Sequence, residues 1–69
     1  MEIPWIDGAQ IRVRAEDGTL IVSANREGLL SLAEQLNILA EQKVYSHIHY
    51  DEENSLEDGS CEWIVEKIP

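Results

Sequence analysis

Phenylalanine is absent from these 69 residues, and cysteine occurs once. With Cys61 alone, no disulfide can close within the chain. Small secreted domains usually staple themselves with several disulfides, so a reducing, cytoplasmic compartment is the expectation. Bases are also scarce. Five Lys and Arg stand against 14 Asp and Glu, a net charge of −9. Such a field repels nucleic-acid phosphates and anionic membranes, so neither is an expected partner, whereas a basic protein is attracted. No apolar run approaches the roughly 20 residues of a membrane helix, and no basic stretch followed by an apolar one reads as a leader. The four glycines are scattered, so no glycine loop cradles a phosphate. No cofactor is implied.

Apolar residues make up 43% of the chain, enough for a small core. So short a chain buries only about 60% of its unfolded surface, and a metal or a partner subunit is a usual addition. Residues 1–10 read as an N-terminal arm, in which Ile3 and Trp5 lie on the domain and Asp7-Gly8 turns the chain. Residues 11–69 read as one domain.

The segment QIRVRAEDGTLIVSA predicts a hairpin, because Asp17-Gly18 suits a two-residue type I′ turn. The pairing follows as Glu16 with Thr19, Ala15 with Leu20, Val13 with Val22 and Ile11 with Ala24. Alternation then places Ile11, Val13, Ala15, Leu20, Val22 and Ala24 on one face, and Arg12, Arg14, Ile21 and Ser23 on the other. Asn25 is an N-cap for a helix over about 26–42. Leu29, Leu32, Ala33, Leu36, Leu39 and Ala40 form its expected core stripe, with Lys43 placed to favour the C-terminal end. A strand is expected over 44–51, with Val44, Ser46, Ile48 and Tyr50 inward and Tyr45, His47, His49 and Asp51 outward. After an acidic loop, a last strand over 60–68 turns Cys61, Trp63 and Val65 inward and Glu62, Ile64 and Glu66 outward. The expected fold is α+β, in the order β-β-α-β-β, with a four-stranded sheet and one helix packed on one face.

One helix covers one face, so the other must be wet or covered by something else. It carries the chemistry-bearing residues. His47 and His49 stand about 7 Å apart by strand rise, and with Glu62 they make a candidate transition-metal set. H-x-H alone is a weak signal. Cys61 turns away from the histidines and reads as a small buried apolar residue, so no nucleophile–base pair forms and no catalytic residue is expected. The chain also has little length for a substrate pocket. A binding surface is the leading reading: Arg12, Arg14, Tyr45, His47 and His49, with the acidic Asp51, Glu52 and Glu53 beside them, mix aromatic, charged and apolar groups as interfaces do. A third reading is a homodimer that pairs these faces and buries Ile21 and Ile64.

Three segments resemble one family. EGLLSLAEQLNILAE carries G-L-x-x-L-A at Gly28, Leu29, Leu32 and Ala33; SHIHYD carries H-x-H-x-D at His47, His49 and Asp51; NSLEDGSCEWIVEKI carries Leu56, Gly59, Ser60 and Ile64. Together, over residues 25–68, they look like the bacterial immunity protein family numbered thirty-two, associated with polymorphic toxin systems. The resemblance implies a protein that neutralises a cognate toxin by direct binding. It does not imply which toxin. A basic toxin would suit the acidic chain.

Overall fold

The structure is a computed structural model that describes residues 1–69. Asp17 and Gly18 both adopt positive φ, 48° and 81°, as a type I′ turn requires. They join β1 (Ile11–Glu16) to β2 (Thr19–Ala24) in the expected register, Glu16 opposite Thr19 and Ile11 opposite Ala24. α1 (Arg26–Ala40) follows, capped by Asn25, whose Oδ1 accepts from the Gly28 N–H at 2.8 Å. β3 (His47–Tyr50) and β4 (Trp63–Glu66) pair antiparallel, with His47 opposite Glu66, Ile48 opposite Val65 and Tyr50 opposite Trp63. Both are shorter than the expected 44–51 and 60–68. Tyr45 takes φ +73°, which breaks the extended run before His47. No helix is long and apolar enough to cross a membrane.

The class is α+β, but the strands form two two-stranded sheets, not one sheet of four. The interruption has a local cause. Residues 57–61 run beside β1 and bond to it, Glu57 N–H to Ile11 O at 2.9 Å and Cys61 N–H to Val13 O at 2.7 Å. Between them the ladder fails: Gly59 sits at φ +85°, and Val13 N–H is met by the Ser60 hydroxyl at 3.1 Å instead of a strand carbonyl. The alternation expected from residue 60 therefore starts only at Trp63. This corrects the placement of Cys61, which is exposed, its Sγ 3.3 Å from the Glu62 carbonyl.

Seven residues make the buried core: Ile11, Val13, Leu32, Leu39, Ile48, Tyr50 and Leu56. The helix contributes fewer of them than its leucine stripe predicts. Leu32 and Leu39 are buried, but Leu29 (54%) and Leu36 (42%) are exposed, as are Ala33 and Ala40. Buried in their stead are Gly28, Ser31 and Gln35. The N-terminal segment explains the rotation. Ser31 Oγ accepts from Ile6 N–H at 2.9 Å, Gln35 Nε2 donates to Pro4 O at 2.6 Å, and Asn25 Nδ2 donates to Gly8 O at 2.8 Å. Residues 4–10 thus lie along one flank of α1, which turns its polar small residues toward them. Gln35 Oε1 also accepts from the Tyr50 hydroxyl at 2.7 Å. Trp5 meets Tyr50 edge-on, and Trp63 stacks on it at 5.1 Å. At the far end of α1 the C-cap is Glu41, and the base that meets the last carbonyls is not Lys43. Lys67 Nζ reaches across to donate to Ala40 O at 2.6 Å and Gln42 O at 2.7 Å.

Candidate functional site

The outer face of the second hairpin is built by alternation. Ile48 and Tyr50 are buried, so His47 and His49 must project the other way, and both are exposed. They do not meet the same groups. His47 stands opposite Glu66 in the register. His49 leans toward the loop end, with Nε2 3.2 Å from Glu62 Oε2 and 4.0 Å from Asp51 Oδ2. Ligand atoms of His49, Asp51 and Glu62 all lie within 4.8 Å of one another. The structure therefore gathers Asp51, not His47, with the other two members of the expected metal set. An imidazole and two carboxylates are donors that suit a divalent transition ion.

The loop behind this cluster is tied down by its own hydrogen bonds. Asp51 Oδ1 accepts from the N–H groups of Glu53 and Asn54, both at 3.0 Å, which leaves Oδ2 directed at His49. Asn54 Nδ2 donates to His49 O at 3.2 Å, and Glu52 Oε2 accepts from Gly59 N–H at 3.0 Å. Leu56 anchors the loop in the core. Glu52 and Glu53 are exposed, so the acidic surface is presented on a braced loop.

Tyr45 lies just before β3 and is 64% exposed. Its φ of +73° is one that a bulky side chain adopts at a cost. Its N–H donates to Lys67 O at 2.7 Å, which holds the backbone there. Its ring takes no part in the core cluster or in the aromatic pairs.

Arg12 and Arg14 are exposed on β1, in the other hairpin. Arg14 Nε pairs with Glu16 Oε1 at 3.1 Å, on the same strand face. No hydrogen bond or ion pair links either arginine to the histidines. Arg12 and Glu57 border a shallow cleft of about 370 Å³ that contains neither histidine nor Cys61. A second cleft, about 480 Å³, lies between Ile3 and Ile38 and is equally without them. Burial pushes the Tyr50 hydroxyl up to about 12, but Tyr50 faces the core, away from this surface. What the sequence reading missed is the bracing. Asp51 as a partner for His49 needed the turn at Glu53 and Asn54, and an Asp three residues before an Asn is the only local sign of it.

No curated protein matches the chain, and no solved structure does. A family model matches, that of Immunity protein 32, over residues 19–68. The match runs from the first residue of β2 through α1, both strands of the second hairpin and the acidic loop.

Proposed function

The chain belongs to the immunity protein 32 family, and from that membership we propose that it neutralises a cognate toxin of a polymorphic toxin system by binding it directly. The family match over most of the chain is the observation that carries this reading. The protein acts in the cytoplasm as an acidic, non-enzymatic inhibitor, and its own side chains perform no chemistry on the toxin. The contact surface is Tyr45, His47, His49, Asp51, Glu52 and Glu53, with Arg12 and Arg14 at a second patch.

Three features support that surface. Tyr45 is held exposed in a strained backbone conformation that brings the fold no packing, and strain of this kind clusters at sites that serve binding. The acidic loop is braced before any partner arrives, which lowers the ordering cost of association. The net charge of −9 speeds encounter with a basic protein. The test is co-expression with the toxin encoded beside this gene. The toxin alone should kill cells, and the pair should grow and co-purify. Killing that persists at full expression of this chain would end the reading.

The three ligand atoms within 4.8 Å favour a second reading, a divalent transition-metal site at His49, Asp51 and Glu62. Calorimetric titration with Zn²⁺ separates it from the first. Stoichiometric binding that His49→Ala abolishes would establish it, and heat unchanged by that substitution would remove it.

A further inference from the structure

The free edge of β2 is uncharged along its whole length. In a two-residue hairpin the residues flanking the turn exchange both hydrogen bonds, and bonded pairs then recur at every second position. Glu16–Thr19, Arg14–Ile21 and Arg12–Ser23 are therefore the bonded pairs. The N–H and C=O groups of Leu20, Val22 and Ala24 point away from β1. The same parity holds on β1, where the outward carbonyls of Ile11 and Val13 and the Val13 N–H are taken by residues 57–61. On β2 no backbone or side-chain hydrogen bond reaches the outward groups. The strand TLIVSA has no Lys, Arg, Asp, Glu or Pro, the devices by which monomers usually protect an edge.

The helix flank above this edge matches it. Ser31 and Gln35 hold the N-terminal segment and Tyr50 of β3, which assigns that flank of α1 to the second hairpin. At 100° per residue, Leu29, Ala33, Leu36 and Ala40 lie on the opposite flank, and β2 is the strand that α1 packs beside. All four are exposed, and Leu20 on β2 is 46% exposed. Edge and flank together carry no acidic residue, in a chain with 14 of them; the exposed Arg26, at the start of α1, is the one charge beside them.

We infer that this side pairs with a second copy of the chain, β2 against β2 in antiparallel alignment about a two-fold axis at Val22. Val22 then meets Val22 of the second copy, and Leu20 meets Ala24, so that all three outward residues of each strand exchange both hydrogen bonds. The two hairpins join into one four-stranded sheet, and the two helix flanks close over it. Self-pairing fits better than a basic partner, because a basic partner needs acids at the contact and this side has none. The absence of acids is also what lets two chains of net −9 approach here. Such an isologous contact is closed and does not propagate. It is distinct from the toxin surface proposed above and stands independently of it.

Sedimentation of the full chain over a range of concentrations tests the inference. A reversible dimer is expected. Leu36→Glu changes an exposed helix position, so folding should be retained while the dimer weakens at least tenfold. Val22→Pro removes an N–H that points away from β1, and should give a folded monomer with the hairpin intact. Ile64→Asp, on the outer face of the second hairpin, should leave the dimer unchanged. A chain that is monomeric at every concentration would overturn the inference. So would a dimer that Leu36→Glu leaves intact, or one that Ile64→Asp dissociates.

Discussion

Gln35 is the residue on which two parts of the molecule depend. It is fully buried, and its two amide ends hold the Tyr50 hydroxyl and the Pro4 carbonyl. A buried group left without its partner costs about 1–3 kcal/mol. Gln35→Ala should therefore destabilise the protein by roughly 2–4 kcal/mol, read by urea denaturation, and should also loosen the N-terminal segment. Tyr50 adds a pH dependence. Its hydroxyl is raised from 10 to about 12 by burial, so the fold favours the neutral form. The stabilisation is complete below pH 10, where the unfolded chain also keeps its proton. It is lost as pH rises through about 12. An alkaline titration of stability should fall across that window, and Tyr50→Phe should flatten the fall. Tyr45 should behave in the opposite sense. Tyr45→Gly relieves the positive φ, so stability should change by less than about 1 kcal/mol, while toxin affinity drops.

At the scale of elements, α1 is placed by its two ends. Asn25 accepts from Gly28 N–H and from Gln10 N–H, and donates to Gly8 O, so it caps the helix and docks the preceding segment together. Gly28 makes this approach possible. A Cβ there would lie 2.7 Å from the Gln10 carbonyl oxygen, a backbone atom that cannot swing aside. In an open helix Gly→Ala is worth up to about 1 kcal/mol in favour of Ala. Here Gly28→Ala should destabilise instead, with thermal unfolding at a lower temperature and faster amide exchange in residues 4–10. Raised stability would show that the segment does not pack as described.

These elements also show how far the sequence could be read. The first hairpin and the Asn25 cap depend on residues a few positions apart, and Asp17-Gly18 and Asn25 announce them in their own chemistry. The rotation of α1 does not. It depends on Gln35 bonding Pro4, 31 positions away, and nothing about a lone glutamine in a leucine-rich helix signals such a partner. Ser60 bonding Val13 across 47 positions splits the expected sheet in the same silent way. Strand alternation correctly put His47 and His49 on an exposed face, because period-two spacing is local. That Asp51 and not His47 joins Glu62 beside His49 depended on a loop turn that spacing does not encode.

At the scale of the whole molecule, acidity and surface are divided. Six of the 14 acids lie on the braced segment between β3 and β4, while the β2 edge and its helix flank are bare of acids. In the proposed reading, one side meets a basic toxin and the other a second copy. Attraction by net charge is screened by salt, so toxin association should slow as ionic strength rises, with less effect on dissociation. The most direct test is calorimetry between the purified chain and the purified toxin of the neighbouring gene, alongside a toxicity assay of the same pair. Saturable one-to-one binding that abolishes toxicity, weakened by Tyr45→Gly in a variant that remains folded, is the predicted result. An unneutralised toxin that gives no heat with the folded chain would contradict the account.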